Sequence, residues 1–292
     1  MSKRSEKVIE GGLAFSALIT ILTTVGILWV LLSESIGFFQ EVSIIDFITD
    51  TQWTPLFAQK HYGILPLLAG TFLTTAIAVS VALPIGLSIA IYLSEYAPKG
   101  YRQKIKPALE ILAAVPTVVY GFFALTVVTP FLQTFVPGLG SFNAISAGIV
   151  MGIMIIPLIS SLSEDALFSI PKSLREASYG MGATKFQTAF KVSVPSASSG
   201  IVVSVILAIA RAIGETMIVS IAAGQQPILT MDPRDAVETI TAYIVQVSLG
   251  DVQHGSIEYK TIFAAGITLF IFTFILNNVS YWIKKKYQEK YE

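Results

Sequence analysis

The segment LAIARAIGETMIVSIAAG (207–224) sets two ionisable residues, Arg211 and Glu215, inside an otherwise uncharged run. Four apart, they share one face of a continuous helix. A guanidinium fork matches a tetrahedral oxyanion through two parallel hydrogen bonds. In this reading Glu215 compensates the charge of Arg211 and orients it when no anion is present, and weakens binding enough for the ion to leave. The competing reading is a buried ion pair that only fixes helix packing, at a desolvation cost. A second patterned stretch is REASYGMGATKFQTAFKVSVP (175–195). It carries Glu176-Ala177-Ser178, three residues, Gly182, nine residues, then Val192-Ser193-Val194-Pro195.

Other chemistry lacks its residues. There is no cysteine, which excludes disulfides and thiolate metal sites. The two histidines, His61 and His254, lie far apart in sequence, so a metal site built from them is not expected. No GxxxxGK[ST] occurs, so nucleotide chemistry must come from a partner. No paired Asp, or Ser with His, falls within the apolar runs, and intramembrane catalysis has no constellation to use.

The elements that position these residues follow from composition. Only 13% of residues are charged, about half the share in soluble domains. A bilayer core needs about 20 apolar residues as helix. Six runs qualify, near 11–33, 66–94, 111–133, 142–163, 197–223 and 261–283. The first is read as an uncleaved span. Arg211 and Glu215 are the only Lys, Arg, Asp or Glu within them. Arg211 lies about 21 Å along the fifth run at 1.5 Å per residue, near the midplane. A lone charge there costs about 3 kcal/mol, so the pair must face a bundle interior or an aqueous path.

Fifteen Lys and Arg fall in the N-terminus, the loop 95–110, the loop 164–196 and the C-terminus. Only Lys60, Arg234 and Lys260 fall in the alternate loops. The positive-inside rule then places both termini and the 164–196 loop in the cytoplasm. The acidic loops 34–60 and 224–260 face outward and are read as docking surface for a delivering protein. The segment ETITAYIVQVSLGD (238–251) is expected to lie along the membrane or cap the path.

Pro84, Pro116, Pro130 and Pro157 sit inside apolar runs and are expected to kink helices for packing or to serve as hinges. Gly148 and Gly152 permit close helix approach, but their spacing alone does not specify a dimer. Within 164–196, Ser173 is expected to cap a helix with Glu176 completing a capping box. Gly180 and Gly182 supply a turn. Phe186, Ala189 and Phe190 are expected to share one face of a short helix suited to a partner's groove.

The 175–195 spacing resembles the docking, or EAA, loop of binding-protein-dependent ABC importer permeases, with Ser178 for the second Ala and Val192 and Val194 for Ile and Leu. LPIGLSIAIYLSEYAP (83–98), LAAVPTVVYGFFAL (112–125), REASYGMGAT (175–184) and ARAIGETMIVSIAAG (210–224) resemble the phosphate importer permeases, C-type. The resemblance covers most of 66–283. It implies an all-α polytopic chain with six transmembrane helices in the type I importer fold, forming one permease domain over 1–292. It implies ATPase docking through Glu176, Ala177, Gly182, Ala183 and Phe186, and phosphate passage past Arg211 and Glu215. No catalytic residue, metal or cofactor is expected in the chain itself, because ATP is bound by partner subunits. The implied partners are a second, A-type permease, two cytoplasmic ATPases, an external phosphate-binding protein and membrane lipid, with no nucleic acid. The implied location is the bacterial or archaeal cytoplasmic membrane. A sulfate or molybdate permease would share the docking loop. A secondary transporter using Arg211 and Glu215 as an ion relay would leave that loop without a role.

Overall fold

The computed structural model describes residues 3–287, so the last five residues, which contribute to the charge count above, lie outside them. The apolar runs become helices because a backbone in hydrocarbon must satisfy its own polar groups. α1 (Lys3–Phe39), α3 (Leu65–Ile91), α7 (Ala144–Phe168) and α14 (Ile257–Tyr287) are each long and apolar enough to cross a bilayer. Between them lie α2 (Ile44–Thr49), α4 (Lys99–Ala114), α5 (Thr117–Phe123), α6 (Thr129–Gln133), α8 (Lys172–Gly180), α9 (Lys185–Thr188), α10 (Val194–Ser196), α11 (Ser198–Ile213), α12 (Met217–Ala222) and α13 (Ile240–Leu249).

Two expected spans are bent or broken. The third starts at Thr117 rather than 111, because Pro116 disfavours a helical conformation at Val115. α4 therefore stands as a separate helix, 84° from the α5–α6 rod. The fifth divides into α11 and α12 around Gly214–Thr216.

Three π-helical turns occur among the described residues: Tyr92–Tyr96, Ala124–Val128 and Ala189–Ser193. Each ends two residues before a proline, namely Pro98, Pro130 and Pro195. A proline lacks the N–H for its i−4 carbonyl and its ring crowds that carbonyl. The i−4 residues are Ser94, Thr126 and Lys191, at or next to the middle of each widened turn. The prolines thus shape the helices locally, and the displaced backbone regains partners through wider hydrogen bonds.

The central packing joins α3 and α7. A Cβ on Gly152 would lie 2.8 Å from the Ala78 carbonyl and 2.9 Å from Val81 Cβ. One on Gly148 would lie 2.7 Å from Ile77 Cβ. The small-residue pair therefore serves packing within the chain, and Ala78, Ala82, Ala147, Val150, Met151 and Ile155 form the buried seam. At the end opposite the 164–196 loop, Phe38, Phe47, Trp53, Ile64 and Tyr243 build a second cluster. The α13 segment joins that cluster instead of lying along the membrane. Ile240, Ala242 and Tyr243 are buried, and the Ile240 N–H donates to Thr71 Oγ1 at 3.1 Å. Acidic groups in the loops 34–60 and 224–260 are engaged locally: Glu258 with Lys60, Glu41 with Lys260, and Asp232 with Arg234. Hydrogen bonds from the Arg234 side chain and backbone hold Asp232 down at about 2.

Gly152→Val should destabilise the protein by about 1–3 kcal/mol through overpacking against α3. The check is a lower unfolding temperature in detergent, with Gly100→Val, which meets nothing within 4 Å, unchanged or nearly so.

Candidate functional site: the broken fifth span and the docking loop

Gly214 follows the last residue of α11, and the Glu215 N–H donates to the Ala212 carbonyl at 3.1 Å as the helix closes. The chain then restarts as α12. Glu215 Oε1 accepts from the Met217 N–H at 3.1 Å and from the Ile218 N–H at 3.4 Å. The carboxylate thus satisfies amides that the break would leave open. Its residue is only 8% exposed, and Thr241 Oγ1 donates to its carbonyl at 2.6 Å, tying the break to α13.

This geometry corrects the expected Arg211–Glu215 pair. The four-residue spacing puts two side chains on one face only if the helix continues, and here it ends between them. Glu215 turns inward to cap α12. Arg211 lies in the last turn of α11, exposed on the protein surface, with no hydrogen bond or ion pair among the described residues. It lines a cleft of about 300 Å³ with Lys106, Glu110, Met154, Pro157 and Ser161. The C-terminal end of a helix favours a cation. An arginine with no partner among the described residues, facing a cleft between α4, α7 and α11, can offer its whole fork. The stop-and-start signal was present in the sequence as Gly214 followed by Glu215-Thr216.

The cleft meets an ion cluster that sequence reading missed. Glu164 on α7 is fully buried between Arg102 Nη2 at 2.5 Å and Lys106 Nζ at 3.0 Å. Lys106 also reaches Asp165 at 2.8 Å. Arg102 sits over the Phe168 ring at 4.1 Å. Nothing in local pattern pairs residues about 60 positions apart.

The docking loop is a helix–turn–helix. α8 begins after Pro171, which provides no side-chain cap, so Ser173 is inside the helix and the expected capping box with Glu176 is absent. A capping box forms instead at Thr184 and Gln187, at the start of α9. Gly182 has φ +84°, a conformation that disfavours any side chain. Ser178, where the family pattern has alanine, bonds Thr188 across the two arms at 2.9 Å. Glu176, Ala177 and Gly182 are exposed, and Ala183 is half-buried. Met181 is 89% exposed, Phe186 63% and Phe190 47%. The two phenylalanine rings stand 4.5 Å apart. Ala189, expected on their face, is instead fully buried in the cluster of Leu167, Ile170 and Ala197.

Residues 82–289 match the family described as the binding-protein-dependent transport system inner membrane component. The chain belongs to that family. It is 38% identical over 234 residues to a probable ABC transporter permease protein, YqgH, of Bacillus subtilis, covering 80% of this chain and 75% of that one. It is 33% identical over 249 residues to the phosphate transport system permease protein PstC of Mesorhizobium japonicum, covering 79% and 75%. It is 32% identical over 279 residues to PstC of Haemophilus influenzae, covering 88% and 87%. Among solved structures, a bacterial transporter that imports alginate superposes with TM-score 0.60 at 18% identity, covering 96% of this chain and 99% of that one. The MetNI methionine transporter, in an inward-facing conformation, gives TM-score 0.57 at 20% identity, covering 76% and 95%. The permease fold expected from the sequence is therefore the fold found, and the protein is a multi-pass membrane transport component rather than an enzyme.

Glu215→Ala should remove the α12 cap and cost about 1 kcal/mol, whereas Glu215→Gln keeps an acceptor and should stay near wild type. Thermal unfolding of both variants in detergent checks this. Equal losses would show that charge, not the cap, matters at this position.

Proposed function

We propose that this chain is the permease subunit of an ATP-driven importer that takes up inorganic phosphate delivered by an external binding protein. The observation that carries the reading is Arg211, an exposed guanidinium in the last turn of α11 that has no partner among the described residues and faces a cleft between α4, α7 and α11. A buried ion pair would have favoured a packing role, and Arg211 is not in one. The PstC relatives, named for phosphate transport, supply the substrate. Glu215 serves passage indirectly, by holding the break that ends α11 just past Arg211. The apolar knob of Met181, Phe186 and Phe190, with Glu176, Ala177, Gly182 and Ala183 beside it, docks on an ATPase subunit. The positive-inside count puts this knob and both termini in the cytoplasm. The partners in this reading are a second, A-type permease, two ATPase subunits and an external phosphate-binding protein. The broad exposed apolar face of α1 meets lipid or the second permease. ATP is bound by the ATPase subunits, not by this chain.

Two measurements test the reading. Phosphate uptake into vesicles holding the assembled transporter should fall at least about tenfold for Arg211→Gln, with assembly and ATP hydrolysis kept. Loss of a charge-assisted bidentate contact, about 1.5–3 kcal/mol, gives that scale. Uptake retained would return Arg211 to a structural role, and competition by sulfate equal to that by phosphate would change the substrate. Replacing both Phe186 and Phe190 by Ala should abolish copurification of the ATPase; a complex that survives would move the docking site elsewhere.

A further inference from the structure

Arg175 directly precedes the exposed Glu176-Ala177 of the docking helix, yet its own side chain is only 16% exposed. Its donors reach the ends of two helices. Nε donates to Glu95 Oε1 at 3.0 Å and Oε2 at 3.3 Å. Nη1 donates to the Ile170 carbonyl at 3.0 Å and Nη2 to the Leu167 carbonyl at 2.7 Å. Glu95, with a side chain 3% exposed, lies in the π-helical turn that finishes α3. Leu167 and Ile170 are the end of α7 and the residue just beyond its cap, where carbonyls lack helical partners. One guanidinium therefore joins the docking helix to the ends of both helices of the central seam.

The attachment matters because α8 has few others, chief among them the Ser178–Thr188 hydrogen bond to the following arm. None of its residues is buried, and Leu174 alone among them packs against the neighbouring apolar cluster. An apolar contact slides under load, whereas a fork with fixed acceptors resists displacement in several directions. Beyond the fork, α7 carries Met154, Pro157 and Ser161, which line the cleft before Arg211. It also carries Glu164, which holds Lys106 of the same cleft. A continuous set of polar and packed contacts thus runs from α8 to the walls around Arg211.

We propose that Arg175 and Glu95 form the strut that converts displacement of the docking helix into movement of α3 and α7 around the Arg211 cleft. Both are positioning residues: neither touches the anion, and neither forms the docking surface. The proposal rests on the ATPase-docking reading above, and it assigns coupling to a contact distinct from docking.

The test uses the assembled transporter in vesicles and reads inorganic phosphate taken up per ATP hydrolysed, a ratio that simple loss of protein does not change. Glu95→Gln removes the ion pair, and Arg175→Lys keeps the charge but loses the fork. Both should leave ATPase copurification and hydrolysis near wild type while the ratio falls about tenfold. Because the chain has no cysteine, the double variant E95C with R175C can be bridged by a short bifunctional maleimide, in partner subunits lacking accessible cysteines. Bridging should restore at least half of the ratio. A ratio within twofold of wild type in both single variants overturns the proposal. So does failure of the bridge to restore coupling in an assembled complex, which would make the pair a structural tie only. If the wild-type chain fails to bring down an ATPase, the docking reading falls, and this proposal with it.

Discussion

Every interruption of a helix inside a bilayer must be closed by the protein, because hydrocarbon offers no hydrogen bonds. That constraint organises this permease. Pro130, inside the third apolar run, breaks the regular ladder, and the backbone answers with a widened turn just upstream; Pro98 and Pro195, in the loop segments, follow the same kind of turn. The break in the fifth span is closed by a side chain instead: Glu215 is committed to the amides of α12. Glu215 is thus turned inward to α12, and Arg211, with no partner among the described residues, is turned outward to the cleft between α4, α7 and α11.

The packing that frames this arrangement is equally constrained. α3 and α7 approach closely enough that glycines at 148 and 152 face backbone and branched side chains with no room for a methyl group. A close seam of small residues moves as a unit more readily than it deforms. At the docking end, the same two helices are gripped by buried charge: Glu95 with Arg175, and Glu164 with Arg102 and Lys106. Such pairs add little net stability, since desolvation offsets much of their attraction, but removal of one partner leaves the other uncompensated. They are suited to fixing geometry between elements that share little apolar contact.

The two ends of the molecule are built differently. The end carrying the docking loop is basic, with apolar side chains such as Met181 and Phe186 left exposed. The opposite end buries its aromatics in a compact cap of Phe38, Phe47, Trp53 and Tyr243, and pairs its acids with nearby cations. α13 links that cap to the break through Thr241 and Glu215. Contacts at the outer cap and at the docking loop thus both lead towards Arg211.

The apolar runs, the charge asymmetry between loops and the spacing Glu176–Gly182–Pro195 determined the class of protein, the apolar segments that become helices and the position of the helix–turn–helix at 172–196. These are local or additive properties: hydropathy sums along a helix, and a turn needs its glycine wherever the chain goes. Arg211 stood out in the sequence for the same reason, since a charge in an apolar run is costly. What only the tertiary structure decided was partnership. Four-residue spacing pointed to an Arg211–Glu215 pair, and Gly214 undid it by ending the helix between them. The partners of Glu95, Glu164 and Arg175 lie about 60 to 80 residues away, and Ala189 is buried by residues near the end of α7 and the start of α11. Which side chains meet is set by how helices pack and where they break, and a linear pattern does not carry that geometry.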